Sequence, residues 1–310
     1  MSKTVTHSTK AAGSADELPT PFSLAEAPRA RPLRLPDGYE TGVYVHRPPE
    51  GAARLPVLHI HGIQSHPGWF FASCADLAKR GHAVYQVTRR GSGANRPARG
   101  DAKSAKQLLD DVSAGCEFVR QDAETERLHL VGVSWGGKLL AAWAATEQAA
   151  AGAVSLTLVA PGVVPRVDVS GWTKLGIGLS LLCCPRRRFQ IPLSDPELFT
   201  EHEPMREFLR GDRLALHRAT ARFLFASRRL DRTLRRAPAG ALRLPTTLLL
   251  AARDRIIDRE GTRRAVARLT AGGAEAVEFD AAHVLEFEPD RRPFFDALAA
   301  ALARGESSRG

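Results

Sequence analysis

From about residue 32 the chain alternates short apolar runs with longer stretches in which apolar residues recur every three or four positions. Short runs dense in Val, Leu and Ile read as strands, and the longer periodic stretches read as helices. Strands are expected at 42–46, 56–60, 83–88, 128–133, 154–160, 246–251 and 276–279. Helices are expected near 70–80, 104–121, 135–149, 259–270 and 292–303. This alternation predicts an α/β architecture built on a mostly parallel sheet with helices on both faces. The apolar density of the middle strands fits burial on both faces, as parallel strands require. Residues 1–30 are rich in Ser, Thr, Ala and Pro without periodicity, and are expected to form a flexible tail. The rhythm also breaks over 161–240, where Pro-punctuated apolar pieces precede a helical pattern over 213–234. The expected organisation is therefore a core of 31–160 and 241–305 with an insertion of 161–240 standing over the end of the sheet.

Composition narrows the class. Hydrophobic residues at 44% and charged residues at 25% are globular usage, which excludes a disordered or fibrous chain. The net charge of +10 comes from 44 basic residues, of which only seven are Lys, and +7 of it falls within 161–240. No basic stretch is interleaved with aromatic platforms, so no nucleic-acid partner is expected. Cys74, Cys116, Cys183 and Cys184 form no C-x-x-C pair and no metal-ligand spacing, which suits reduced thiols in a cytoplasmic protein. The N-terminus has no apolar signal region, and the longest nearly uncharged apolar run, 175–184, is about half of the ~20 residues a membrane span needs.

The sharpest chemical signal is Gly132-Val133-Ser134-Trp135-Gly136-Gly137. An apolar strand enters it and good helix formers leave it, which is the context that gives G-x-S-x-G its meaning. The tight turn lifts the Ser134 hydroxyl above the sheet at a helix N-terminus, where free N–H groups favour negative charge. A serine hydroxyl needs a base, and the base needs an orienting acid. After Ser134 the sequence holds three histidines, His202 and His217 within the insertion and His283 beyond the last strand. The last of these has the position expected of the base. Asp254, three residues past the strand at 246–251, is favoured as the acid over Asp258, which reads as a helix N-cap, and over Asp280. An oxyanion hole would use the backbone N–H groups of Trp135 and of Ile63, the latter after the sharp turn at Gly62. His59, His61 and His66 lie close in sequence, but no further ligand follows nearby, so neither a metal nor another cofactor is expected.

Taken together, HGIQSHPGWF at 61–70, LAKRGHAVYQVTRRGSGAN at 77–95, GVSWGG, LLLAARDRIID and AHVLEFE, in that order, resemble the α/β-hydrolase superfamily. Within it they are similar to monoacylglycerol lipases, lysophospholipases and serine aminopeptidase-type members. The resemblance spans about 40–303. It implies a mostly parallel eight-stranded sheet flanked by helices, with a helical lid at 161–240. It also implies Ser134 as nucleophile, Asp254 as acid, His283 as base, and Ile63 and Trp135 at the oxyanion hole. The expected activity is hydrolysis of a small carboxylic ester, with lipid monoesters as the expected substrate class. The rivals are release of an N-terminal residue, for which Glu201 and Glu203 would hold the ammonium, and a noncatalytic small-molecule binder. Two positions depart from the pattern: Thr88 and Arg89 precede Arg90-Gly91 where an acidic residue is usual, and Asn95 stands where Ser is common. The apolar run 175–182 is expected either to face an acyl tunnel, with Arg186, Arg187 and Arg188 toward an anionic head group or membrane surface, or to belong to a lid helix packed on the main domain with the three arginines solvated. Trp172 and Phe189 are expected in the core.

Overall fold

Two antiparallel strands open the sheet, β1 (Ala30–Arg34) and β2 (Glu40–His46), which pair from Ala30–Tyr44 to Arg34–Glu40. The computed structural model describes residues 18–25, 27–52, 54–146 and 152–307. The chain continues through β3 (Arg54–Ile60), α1 (Phe71–Lys79), β4 (His82–Val87), α2 (Ala105–Asp122), β5 (Leu128–Val133), α3 (Trp135–Ala144) and β6 (Ala153–Val159). After β6 come α4 (Gly171–Cys183), β7 (Arg188–Gln190), α5 (Glu203–Gly211), β8 (Arg218–Thr220) and α6 (Ala221–Arg236). The sheet then resumes with β9 (Thr246–Ala251), α7 (Arg259–Leu269), β10 (Glu275–Phe279) and α8 (Arg292–Ser307).

Eight strands join in the order β1-β2-β4-β3-β5-β6-β9-β10. The run from β4 to β10 is parallel, and β2 lies antiparallel to both of its neighbours. Every residue of β5, β6 and β9 is buried, because helices cover both faces of the middle of the sheet. Leu108, Val112, Leu139 and Leu140 from α2 and α3 pack with Phe223 and Leu230 of α6 in one apolar cluster. A second cluster joins Cys74 and Leu77 of α1 to Phe294, Leu298 and Leu302 of α8. Ser104, Thr220 and Asp258 cap α2, α6 and α7 by accepting a backbone N–H in the first turn. No helix among the described residues is long and apolar enough to cross a membrane.

The seven expected strands form within two residues of their expected limits, and β1 joins them as an eighth. Its sequence, ARPLR, buries only Leu33, so it lacks the apolar signal of a central strand and sits at the sheet edge, where Pro32 is tolerated. The expected helix over 135–149 closes at Ala144, and residues 147–151 lie outside the described set. The helical pattern at 213–234 resolves into the strand β8 followed by α6. Residues 1–17 and 26 of the expected flexible tail lie outside the described residues. The rest of that stretch corrects the expectation: Leu18 packs with Tyr44 and Phe71, and Phe22 meets Phe287 at 6.3 Å under the Arg291 guanidinium. Two large apolar side chains bury enough surface to hold a segment whose composition otherwise reads as unstructured.

A second correction concerns α4. Trp172, Leu175, Leu179 and Leu182 are 84%, 54%, 59% and 88% exposed, so this stripe faces outward and neither lines a tunnel nor enters the core. Phe189 is only partly buried, beneath the Arg187 guanidinium.

Candidate active site

Ser134, Ile63, Asp254 and His283 all follow the C-terminal ends of parallel strands, namely β5, β3, β9 and β10. This is the edge at which open α/β sheets build their sites. Between β5 and α3 the chain reverses direction at a single residue, Ser134, with φ 52° and ψ −120°. That conformation is costly for any residue carrying a β-carbon. The flanking glycines make the turn possible. A β-carbon at Gly132 would stand 2.7 Å from Gly137 Cα, and one at Gly136 would stand 2.3 Å from the Ile60 carbonyl oxygen. The turn is anchored where the Ser134 N–H donates to the Val159 carbonyl at 2.8 Å and the Gly162 N–H donates to the Ser134 carbonyl at 2.8 Å.

His283 Nε2 lies 2.9 Å from Ser134 Oγ, and His283 Nδ1 lies 2.7 Å from Asp254 Oδ2. The other Asp254 oxygen accepts the N–H groups of Ile256 and Ile257, both at 2.8 Å. Burial alone would raise the Asp254 carboxyl, but the neighbouring His283 and the two backbone donors outweigh it and hold the group below its ordinary range. An ionised Asp254 can only accept, so Nδ1 of His283 carries the proton and Nε2 turns its lone pair toward Ser134. The other two candidate acids stand apart from this chain of contacts. Asp258 caps α7 through the Gly261 N–H at 3.0 Å, and Asp280 is an exposed partner of Arg253.

A β-carbon placed at Gly62 would lie 3.3 Å from Ser134 Cβ, so the backbone after β3 passes directly beside the serine and carries Ile63 with it. Trp135 opens α3, so its N–H is among the helix donors that have no intrahelical partner. Its indole N–H donates to Ser227 Oγ at 2.8 Å, and its rings stack on Phe223 at 5.4 Å. Both partners lie on α6, and Lys138 of α3 also reaches α6 through Asp231 at 2.9 Å. Thus α6, from the 161–240 stretch, is docked against the helix that begins at the serine.

One functional candidate escaped the sequence reading. Arg89 is buried, and its guanidinium donates to the carbonyls of His61, Gly62 and Ile63 at 3.2, 2.6 and 2.8 Å. It also lies 4.7 Å from the Trp135 ring, and burial pulls it down to about 9. The residue therefore ties the backbone after β3 and the Trp135 ring to one positive charge. In the sequence it is one arginine among many, and its place next to Arg90 read only as a departure in a loop. His66, Trp69 and Asp212 form a second such element. Asp212 Oδ2 accepts from Trp69 Nε1 at 2.7 Å and lies 3.1 Å from His66 Nε2, which clamps the loop after β3 to the segment after α5. His61 Nδ1 faces the Gly62 carbonyl, and its Nε2 accepts the Arg89 N–H, so neither His61 nor His66 is available as a ligand. A polar cavity of about 530 Å³ bordered by Arg90, Asp101, Arg186, Arg188 and Arg222 contains none of the serine, histidine and aspartate described above.

The family described as "Serine aminopeptidase, S33" matches residues 51–290, more than half of the chain. The chain belongs to the serine aminopeptidase S33 family. No curated protein sequence matches this S33 member. Among solved structures it is similar to a monoacylglycerol lipase of Paleococcus ferrophilus, at 21% identity over 86% of this chain and 100% of that one, with a TM-score of 0.75. It is also similar to a soluble variant of monoglyceride lipase from Saccharomyces cerevisiae solved with a substrate analog, at 18% identity over 93% and 99% of the two chains, TM-score 0.80. A carboxyl esterase from Bacillus coagulans solved with glycerol aligns at 13% identity over 90% and 99%, TM-score 0.72. These likenesses establish the α/β-hydrolase fold of the S33 chain.

Proposed function

We propose that this protein hydrolyses small carboxylic esters, with lipid monoesters as the substrate class, through an acyl-enzyme on Ser134. The observation that carries this reading is the unbroken chain of contacts from Asp254 through His283 to Ser134 Oγ, at 2.7 and 2.9 Å. In the first step Ser134 Oγ attacks the ester carbonyl while His283 Nε2 takes the hydroxyl proton. The carbonyl oxygen becomes an oxyanion facing the N–H groups of Ile63 and Trp135, with Arg89 behind them. The C–O bond to the alcohol then breaks, and His283 returns its proton to the departing oxygen. Water, deprotonated by the same imidazole, attacks the acyl carbon and frees the acid, and Ser134 regains its proton. Asp254 keeps the imidazole in the required tautomer and stabilises the imidazolium that forms twice per cycle.

The family description names an aminopeptidase, which would need free carboxylates to hold an ammonium. Glu203 is paired with Arg210 at 2.7 Å, whereas Glu201, 3.1 Å from Arg253, shares that single arginine with Asp280 and Glu288. The pairing of Glu203 breaks up the candidate pair of free carboxylates and favours the ester. The 161–240 stretch is read as the lid over this site. Its exposed α4 stripe, followed by exposed Arg186, Arg187 and Arg188, suits contact with an anionic lipid surface that presents the substrate.

The reading is tested with a fluorophosphonate probe and p-nitrophenyl esters of increasing chain length. The wild type is expected to label at Ser134 and to prefer medium or long acyl chains, and Ser134→Ala is expected to lose both labelling and turnover. Aminoacyl amides turned over faster than esters would move the assignment to the peptidase. Absence of labelling would move it to a binder.

A further inference from the structure

At the end of the sheet away from Ser134, two buried histidines and a carboxylate converge. His82 opens β4 and His129 is the second residue of β5. β3 runs between these strands, yet the two rings meet edge to face with centroids 5.7 Å apart. His129 precedes Ser134 by five residues of extended chain, which sets the cluster about 17 Å from the serine backbone. Glu306, in the last turn of α8, places a carboxylate oxygen 3.5 Å from His129 Nε2. One ligand-type atom from each of the three side chains falls within 4.8 Å of the other two.

Three details separate this cluster from an ordinary buried histidine pair. His82 Nδ1 must donate to the Leu55 carbonyl at 2.8 Å, because a carbonyl oxygen can only accept, and this leaves the lone pair on Nε2. His129 Nδ1 is held by Ser155 Oγ at 2.7 Å. The Nε2 atoms of both rings are buried and, among the described residues, have no hydrogen-bond partner beyond the Glu306 oxygen 3.5 Å from His129 Nε2. A ring fixed through one nitrogen and presenting the other, unpartnered, toward a carboxylate is the arrangement of a metal-ligating histidine with its outer contact in place. Such orphaned buried nitrogens are otherwise costly. The third detail is Gly305. A β-carbon there would stand 2.4 Å from Ser155 Cβ, so only glycine lets the last turn of α8 come close enough to deliver Glu306.

The geometry points to a structural binding site for a zinc-class divalent cation formed by His82 Nε2, His129 Nε2 and the Glu306 carboxylate, with water as the fourth ligand. Imidazole and carboxylate donors suit zinc, cobalt or nickel and do not suit magnesium or calcium. Tetrahedral bonds of about 2.0–2.1 Å set ligand atoms roughly 3.4 Å apart, so the three groups must draw in by about an ångström. The Glu306 side chain, 31% exposed, has the freedom to do so and gives the ion its route from solvent. An ion held there would pin α8 to β4 and β5 and would bind only the folded chain, raising its stability by mass action.

The test uses the full-length chain without a polyhistidine tag, stripped with EDTA and titrated with CoCl₂ and ZnCl₂. The expected result is one ion per chain, visible cobalt bands that zinc abolishes, and a zinc-dependent rise in melting temperature. Glu306→Gln should weaken binding by at least about tenfold and remove the rise in melting temperature while ester hydrolysis persists, since even outer contacts are worth that much. His129→Asn should abolish the cobalt bands. If that variant does not fold, Glu306→Gln decides alone, because its partly exposed side chain can be changed without opening the core. His283→Ala should bind as the wild type does. No cobalt bands and no zinc-dependent stabilisation in the wild type would overturn the site. So would binding that survives Glu306→Gln and disappears in His283→Ala, which would place the ion on the catalytic histidine.

Discussion

At Ser134 the backbone is held at φ 52°, and the strain is stored at the proposed nucleophile. Ser134→Gly should therefore raise stability by about 1 kcal/mol, because glycine occupies that region without penalty, while esterase activity disappears. Thermal unfolding beside an ester assay checks both halves. Asp254→Asn should lower kcat by roughly 10⁴-fold with little change in KM, since an amide that donates to Nδ1 favours the wrong tautomer. Arg89 gives a prediction of another kind. Its guanidinium reaches three successive carbonyls, a span that the single ammonium of Arg89→Lys does not cover. Both Arg89→Lys and Arg89→Met should lower kcat, by up to about 10²-fold if the Ile63 donor loses its alignment. Steady-state kinetics on a soluble ester separates that kcat effect from a change in KM.

At the scale of elements, α4 and α6 carry opposite instructions. α6 is amphipathic and turns Phe223, Ser227 and Leu230 inward onto α3 and the sheet. α4 buries only Ser180 and leaves its apolar stripe in solvent. Replacing Trp172 and Leu182 together with Ser should move the melting temperature little, because surface changes away from packed contacts stay within about 0.5 kcal/mol. The same pair should reduce hydrolysis of substrate carried in anionic vesicles and leave a water-soluble p-nitrophenyl ester unaffected. Equal rates on vesicles would remove the lipid-surface role. Phe223→Ala works in the other direction. It empties a fully buried ring site beneath Trp135 and is expected to cost about 3–5 kcal/mol, seen as a lower urea midpoint.

Across the whole molecule, buried neutral imidazoles set the response to acid. Burial pushes His46 down to about 4 and His59 to about 3, and burial together with the Arg89 charge holds His61 well below its usual value. The unfolded chain protonates these rings near 6.5 and the folded chain does not, so it binds more protons on unfolding and loses stability as pH falls. Glu286 acts oppositely. Burial raises its carboxyl to about 7, so the folded state takes up a proton that the unfolded state gains only near 4.5. The buried histidines outweigh Glu286, and the melting temperature should fall steadily from pH 6.5 to pH 4. A flat profile over that window would show that the rings are hydrated in the folded state.

Much was legible along the chain because the signals are local. Parallel strands buried on both faces must be continuously apolar, and the turn at Ser134 needs glycine two residues to either side, at 132 and 136, so β5 and the candidates Ser134, Asp254 and His283 can be read without coordinates. Choosing Asp254 over Asp258 rested on the same local logic, since a cap is recognised from the helix that follows it. The sequence alone left other matters open because they depend on contacts distant along the chain. Whether Leu18 and Phe22 pack, whether the α4 stripe faces in or out, and which arginine lies behind the loop after β3 are decided by what the fold brings opposite each residue. The pairing of His82 with His129 belongs there too: the positions are 47 residues apart and become neighbours only because β4 and β5 are laid down on either side of β3.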